Sequence, residues 1–330
     1  MHILIVTPAK PGSRHGNRNT ALRWARLLRA CGHGVTVVVD PGEAAGTRFD
    51  LMIALHARRS ADAVAAWKGK PGRPLILALT GTDLYRDIRE DAAAQRSLVL
   101  ADALVVLQAE GLNELAPALR AKACVIHQSV RPYARATPPS TYTLITVIGH
   151  LREEKDPLRA AHALAHLPAA SRVRVVQLGG AMDETLAGEA RRIANTEPRY
   201  RWLGELPHGE AMRWLARSHA MVISSRMEGG AHVVSEAISA GVPVLASHIA
   251  GNVGLLGRAY PGYFPVGDER ALAALMAKLE ASKRFELTLA GEVIKRRQLI
   301  DVAAERDALD ALVRATLDSR VKLDALEHDL

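Results

Sequence analysis

The sequence predicts an α/β protein with two consecutive Rossmann-like, doubly wound domains, each built on a parallel sheet. Short apolar segments alternate with amphipathic ones along most of the 330 residues. Segments such as Leu51–Leu55 lack a strict polar–apolar alternation, which is typical of strands buried on both faces of a parallel sheet. The segment from Arg131 to Thr141 is rich in Pro, Ser and Thr and separates two such series. We therefore predict domains at 1–138 and 139–330 that face a ligand cleft, with the last helices packing back on the first domain.

The first domain is predicted to contain six strands with amphipathic helices between them. The strands are His2–Thr7, Val35–Val39, Leu51–Leu55, Leu75–Leu79, Ala103–Leu107 and Cys124–His127. The clearest amphipathic segments are Thr20–Ala30, Ala61–Trp67 and Glu110–Leu119. Their alternation with the strands predicts right-handed β-α-β units and hence parallel pairing.

The second domain repeats this order. Its predicted strands are Thr143–Gly149, Val173–Leu178, Tyr200–Leu203, Met221–Ser224 and Val242–Ala246. Asp156 followed by Pro157 predicts a helix N-cap with proline at the first helical position. Val233–Ala240 has a helical pattern, and the chain from Glu269 to about Arg320 is almost entirely helical in pattern.

The composition of the chain restricts the classes of function that we expect for it. The net charge is +8, but the basic residues are scattered and aromatic residues make up only 4%, so we expect no nucleic-acid partner. No apolar run approaches about 18 residues, so no membrane span is expected. The N-terminus has the pattern of a strand and lacks the features of a signal peptide.

With only Cys31 and Cys124, we expect a cytoplasmic protein without disulfides. No third ligand accompanies His162 and His166, so neither a metal nor another cofactor is expected. The oligomeric state stays open.

The most informative motif contains two glutamates, Glu228 and Glu236. An apolar strand precedes Glu228, a glycine turn follows it, and Glu236 lies in the next helix. A strand, glycine turn and helix in this order predict a mononucleotide-binding unit. The helix start offers unpaired N–H groups that suit a diphosphate. Two carboxylates beside a phosphate site indicate a nucleotide joined to a group rich in hydroxyls.

Further loops at strand ends carry candidate site residues. Gly149 opens a loop in which Arg152 and Lys155 would neutralise a diphosphate, although a solvated charged turn would contain the same residues. The segment from Leu203 to Leu206 would offer backbone groups to a nucleobase edge, or would simply end a strand.

The first domain has a basic rim at its predicted strand ends. The loop after the first strand matches neither a dinucleotide-binding fingerprint nor a P-loop, so the main sequence evidence for NAD or ATP binding is missing. Each of these residues is individually common on protein surfaces, but together they suit an anionic acceptor. The candidate acceptor residues are Arg14, His15, Gly16, Asn17, His56, Arg58, Arg59 and Thr82.

The second-domain motifs resemble those of retaining GT-B glycosyltransferases of family 4. Glu228 and Glu236 match the two glutamates of that family, and Gly149, Arg152 and Lys155 match its Gly, Arg and Lys. The resemblance implies a GT-B fold and metal-independent transfer from a UDP-sugar, with catalytic roles for Arg152, Lys155 and Glu228. It implies donor binding by Gly149, Leu203, Gly204, Leu206, Gly229, Gly230, Ala231 and Glu236, of which Glu236 would bind the ribose.

A narrower resemblance involves both domains. Segments at Asn17–Leu28, Leu55–Ser60, Leu79–Tyr85 and Gly251–Leu256 are similar to those of the selenosugar synthases of selenoneine biosynthesis. This resemblance implies that UDP-N-acetylglucosamine and selenophosphate are the substrates and that a 1-seleno sugar is formed. Gly230 stands where family 4 members commonly have an aromatic residue, which argues against an ordinary polysaccharide or lipid acceptor. A conventional family 4 transferase, a UDP-sugar epimerase and a non-catalytic UDP-sugar-binding protein remain the alternatives.

Overall fold

Two parallel sheets of six strands each organise the chain. The computed structural model describes residues 1–13 and 16–328. One compact unit combines Met1–Ser129 with Asp301–Leu330, and the other spans Val130–Ile300. The prediction of two Rossmann-like parallel α/β sheets is therefore confirmed.

The sheet of the first unit has the order β2-β1-β3-β4-β5-β6. Its strands are β1 His2–Val6, β2 Gly34–Val38, β3 Leu51–Leu55, β4 Leu75–Leu79, β5 Ala103–Val106 and β6 Ala123–Val125. The chain adds β2 on one side of β1 and then β3 on the other side, so the strand order reverses between β1 and β3. Loops diverge at such a switch point and leave a crevice at the carboxyl ends of the strands.

The sheet of the second unit has the order β12-β11-β10-β7-β8-β9. Its strands are β7 Thr143–Ile148, β8 Val173–Leu178, β9 Tyr200–Trp202, β10 Ala220–Ile223, β11 Val244–Ser247 and β12 Tyr263–Phe264. Here the order reverses between β7 and β10, which pair in parallel. The two-residue edge strand β12 is absent from the sequence prediction because it is too short to give a pattern.

Helices cover the sheets. They are α1 Gly16–Ala30, α2 Ala61–Lys68, α3 Ile88–Glu90, α4 Ala92–Leu100, α5 Pro117–Arg120, α6 Arg159–Ala163, α7 Glu184–Thr196, α8 His208–Ala216, α9 His232–Ala240, α10 Ala250–Leu256, α11 Glu269–Ala281, α12 Lys283–Lys295 and α13 Val302–His328. The described helices are all too short or too polar to cross a lipid bilayer.

Two local predictions were wrong. The segment from Glu110 to Leu119 is not one helix, because a 3-10 helix over Ala109–Glu114 ends before Pro117 opens α5. Asp156 is not a helix N-cap, because it has a left-handed backbone with φ 43° and closes the 3-10 turn Glu153–Lys155. Its carboxylate instead binds the Arg159 guanidinium at 2.9 Å.

Alternate strand residues fill the two faces of the first sheet. Ile3 and Ile5 of β1 pack with Trp24 on one face, while Leu4 and Val6 face the other side. Both sets are fully or almost fully buried, which explains the absence of polar alternation in the sequence.

The unit boundary lies after Ser129, nine residues before the predicted boundary at 138. The predicted linker is bound to the second unit by hydrogen bonds: Tyr133 N donates to Ser239 Oγ and Ala136 N to Ala216 O. The other boundary lies before Asp301, so α11 and α12 belong to the second unit and α13 to the first.

A buried carboxylate attaches α13 to the first unit. Glu305, in the first turn of α13, is contacted at 3.1 Å by Arg23 Nε and at 2.9 Å by Trp24 Nε1. Ser129 N donates to the same carboxylate at 2.9 Å. Leu309, one turn further along α13, lies in the same apolar cluster as Trp24.

Glu305→Ala is expected to lower the unfolding free energy of the first unit by about 3–5 kcal/mol, because it removes the buried acceptor of Arg23 Nε, Trp24 Nε1 and Ser129 N. Urea unfolding followed by circular dichroism measures this change, and hydrogen exchange in α1 assigns it to the first unit. Asp307→Ala is the matched control on the same helix, since Asp307 is exposed and forms a surface ion pair with Arg306. Equal urea midpoints for the two variants would contradict the assigned role of Glu305.

Candidate functional site

The switch point of the second sheet brings together the loops that follow β7 and β10. A small pocket lies there, lined by Gly149, Lys155, Gln177, Ser225, Glu228 and Val233, among others. Hydrogen bonds join the loops; for example, Arg226 N donates to Glu154 O at 2.9 Å, and Ser224 Oγ donates to Asp156 O at 2.7 Å. The two loops therefore form one structural element, although about 70 residues separate them in sequence.

Glu228 is the central side chain of this pocket. It is only 8% exposed. Its Oε1 atom accepts a hydrogen bond from Ser225 Oγ at 2.6 Å and forms an ion pair with Lys155 Nζ. A buried carboxylate needs such a partner, because burial of an unpaired charge is costly. The structure thus brings predicted residues Lys155 and Glu228 into direct contact.

Arg152 belongs to the same loop as Lys155 but approaches a different carboxylate. Its guanidinium is half-exposed and approaches the carboxylate of Glu154 at 4.0 Å. Within the described part of the chain, Arg152 makes no ion pair with Glu228. The cation on this carboxylate is therefore Lys155.

Backbone approach fixes the position of the Glu228 loop. A Cβ atom on Gly251, in α10, would lie 2.0 Å from the carbonyl oxygen of Glu228. Next to it, the buried Asn252 side chain donates through Nδ2 to Ser247 O at 2.9 Å, and Ser247 Oγ donates to Ser225 O at 2.6 Å. The start of α10 therefore holds the segment that carries both Ser225 and Glu228.

The N-terminus of α9 follows this loop. Gly229 and Ala231 are buried, and Gly230 is partly exposed. Among the described residues, no side chain caps Ala231 at the start of α9. The N-terminus of a helix carries a partial positive charge, which suits a phosphate.

Glu236 lies in the second turn of α9 and is 7% exposed. Its Oε1 atom is 2.7 Å from His208 Nε2 and 3.8 Å from His232 Nε2. The hydrogen bond to Glu236 raises the pKa of His208. Sequence reasoning missed His208, and the only sequence signal was its position just after a strand end.

The predicted base-binding segment follows β9. Leu203 and Leu206 are partly buried against a small apolar cluster that contains Leu144 and Leu178. The carbonyl oxygen of Gly204 accepts from Gly179 N at 2.7 Å. This segment is thus held at the carboxyl edge of the sheet beside the loop that follows β8.

The first unit gathers a second set of predicted residues at its own switch point. His56, directly after β3, has a left-handed backbone with φ 75°, a strained conformation for a residue with a side chain. Asp83 stabilises the loops around it by accepting from Ala57 N at 3.0 Å and from Gly81 N at 2.8 Å. His56 Nε2 and Thr82 Oγ1 are 3.0 Å apart.

The surroundings of His56 favour its neutral form. Burial lowers its pKa, and the negative charge of Asp83 opposes this effect. Arg59 N donates to His56 Nδ1 at 3.3 Å, so we assign the ring proton to Nε2, which then donates to Thr82 Oγ1.

A buried carboxylate orients two arginines beside His56. Asp87 contacts Arg58 Nε and Arg86 Nε, each at 3.1 Å. The two arginine side chains are 42% and 44% exposed. Arg59 is also exposed and has no ion pair among the described residues. The cluster therefore combines three guanidinium groups with Asp87 and Asp83, which favours an anionic ligand.

Four of the predicted acceptor residues belong to this cluster, namely His56, Arg58, Arg59 and Thr82. Gly16 and Asn17 begin α1. Arg14 and His15 lie outside the described residues. Arg86 and Asp87 were missed by sequence reasoning, because the single π-helical turn Asp83–Asp87 that places them has no distinctive sequence pattern.

Comparison with known proteins identifies the family. The family model of glycosyl transferases group 1 matches residues 134–305, which is just over half of the chain. The chain belongs to the group 1 glycosyl transferases. A curated relative, glycosyltransferase 1 domain-containing protein 1 of Xenopus tropicalis, is 26% identical over 274 residues, or 73% of this chain and 77% of that protein.

Solved structures give the fold of this glycosyltransferase. HepE of Anabaena in complex with UDP matches with a TM-score of 0.77 and 16% identity, covering 95% of this chain and 99% of that one. Sucrose-phosphate synthase of Thermosynechococcus elongatus matches with a TM-score of 0.80 and 15% identity, covering 96% and 99%. The fold is accordingly that of GT-B glycosyltransferases, as the motif resemblance implied.

Gly251→Ala is expected to destabilise the glycosyltransferase by about 1–3 kcal/mol, because the added methyl group overlaps the Glu228 backbone. Chemical denaturation of the purified variant measures the change. Gly188→Ala is the matched control, since a Cβ atom at Gly188 in α7 meets open space. This control should gain about 0.5–1 kcal/mol from the lower backbone entropy of the unfolded chain. A Gly251→Ala protein as stable as wild type would contradict the close approach.

Proposed function

We propose that this glycosyltransferase joins the sugar of UDP-N-acetylglucosamine to selenophosphate. The observation that carries the proposal is the pairing of a buried carboxylate with exposed arginines in the first unit, where Asp87 orients Arg58 and Arg86. Such a cluster suits a small, multiply charged acceptor. A neutral sugar acceptor is more often bound by carboxylates and amides that accept from hydroxyl groups and by aromatic rings that stack on it.

The second unit is the proposed donor site. Two similar structures are of HepE with UDP and with UDP-glucose, which supports a UDP-sugar as donor. The positive end of α9, beside Gly229 and Gly230, is proposed to bind the diphosphate together with Lys155. Glu228 would accept from hydroxyls of the sugar, and Glu236 from those of the ribose. Leu203, Gly204 and Leu206 would face the base.

The proposed reaction needs stabilisation of a leaving group more than it needs a base. A selenium lone pair of selenophosphate forms a bond to C1 of the sugar, while the C1–O bond breaks and UDP leaves with its electron pair. Hydrolysis of the Se–P bond then consumes one water and gives inorganic phosphate and the 1-seleno sugar. Selenium already carries negative charge, so a general base contributes little. Lys155, Arg152 and the positive end of α9 are proposed to stabilise the departing UDP.

UDP release from UDP-N-acetylglucosamine, measured with and without selenophosphate, tests the proposal. The expected result is selenophosphate-dependent release, together with a sugar product that has the isotope pattern of selenium in mass spectrometry. Inorganic phosphate replaces selenophosphate in the control. Release that ignores selenophosphate, or occurs only with a sugar acceptor, would overturn the acceptor assignment. UDP-sugar turnover without UDP release would indicate an epimerase, and donor binding without turnover would indicate a binding protein.

Arg58→Ala is expected to raise the KM for selenophosphate about 10-fold or more, because it removes a charge-assisted contact to the acceptor. The KM for UDP-N-acetylglucosamine should stay unchanged. Steady-state kinetics with each substrate varied in turn provides the measurement. Arg96→Ala, at an exposed position of α4, is the matched control and should leave both constants unchanged. An unchanged selenophosphate KM in Arg58→Ala would remove Arg58 from the acceptor site.

A further inference from the structure

His208 and Glu236 form an ion pair across two helices of the second unit. His208 is the first residue of α8, and its side chain is 76% exposed. Glu236 is nearly buried in α9, and the two side chains meet at 2.7 Å between Nε2 and Oε1. Glu205, three residues before His208 in the sequence, lies beside Gly180. An exposed histidine thus covers one oxygen of a buried carboxylate.

The ribose of a nucleotide would need this same carboxylate. A ribose diol has two hydroxyl donors, which suit the two oxygens of a carboxylate. While His208 donates to Oε1, an incoming ribose hydroxyl competes with the imidazole for this oxygen of Glu236. We propose that His208 is a pH-sensitive gate on the nucleotide site, which the ribose of the donor must displace from Glu236. This inference rests on the proposed function, because it takes Glu236 as the ribose ligand.

The charges around the pair set the direction of the pH effect. The hydrogen bond to Glu236 raises the pKa of His208, so acid strengthens the pair and closes the gate. The other charged residues of α8 are Glu210 and Arg213. On α9 the titratable groups are His232 and Glu236, and strand β7, which also packs against α8, has none. Nucleotide affinity should therefore fall as the pH falls through the raised pKa of His208.

Calorimetric titration with UDP, from about pH 5.5 to about pH 8.5, tests the gate. His208→Ala should bind UDP about three- to tenfold more tightly than wild type at the acid end and equally well at the alkaline end. Ionisation of UDP itself is common to both proteins and cancels in the ratio of their dissociation constants. His162→Ala is the matched control, because His162 forms a similar pair with Glu189 on α7, and it should bind like wild type at every pH. Weaker binding by His208→Ala at every pH would make His208 a nucleotide ligand and overturn the gate.

Two further measurements keep the inference separate from the proposed function. His208→Gln retains a neutral donor and should also lose most of the pH dependence. With 2′,3′-dideoxy-UDP, which has no diol, the advantage of His208→Ala at acid pH should disappear. Absence of UDP binding in all of the proteins would overturn the proposed function. UDP binding with the same pH dependence in wild type and His208→Ala would overturn the gate alone.

Discussion

Neutralisation of the Glu228 carboxylate is the constraint on which the candidate donor site depends. The loop that contains Glu228 packs closely against Gly251, and the Glu228 side chain is buried there. Its charge is tolerated because Lys155 and Ser225 both bind the same oxygen. Lys155 reaches it only because β7 and β10 are neighbours at the switch point, so that the loops after them join. Topology, backbone approach and charge therefore determine the site together.

The first unit has the same kind of switch point, but its candidate site favours a ligand of a particular charge. Its strand order also reverses, between β1 and β3, and the residues after β3 and β4 meet there. The buried carboxylates Asp83 and Asp87 have different partners: Asp83 accepts from backbone N–H groups, while Asp87 orients Arg58 and Arg86. The result is a surface that favours an anion, whereas the second unit is proposed to bind hydroxyls with its carboxylates and phosphate with a helix N-terminus. The proposed pair of substrates, a UDP-sugar and a small anion, agrees with this division.

Sequence patterns predicted the sheets well and the side-chain pairs poorly. Strands such as Leu51–Leu55 and Leu75–Leu79 were predicted to the residue, because burial on both faces demands an unbroken apolar run. Strand–turn–helix order likewise placed Lys155 and Glu228 at a common edge. The contact between His208 and Glu236 was not predictable, because it depends on how α8 packs against α9. The prediction of Asp156 as a helix N-cap was wrong for a local reason. An aspartate before proline is typical of an N-cap, but here the same residue has a left-handed backbone.

Binding of UDP and of uridine to the Lys155→Ala variant is the measurement that tests the central claim most directly. If Lys155 serves the diphosphate as well as Glu228, the affinity for UDP should fall about 10-fold or more, since a charge-assisted contact is lost. The affinity for uridine, which has no phosphate, should stay the same. An equal loss for both ligands would mean that Lys155 only supports the fold of the loop. No loss for either ligand would place the diphosphate away from the pocket formed by the loops after β7 and β10.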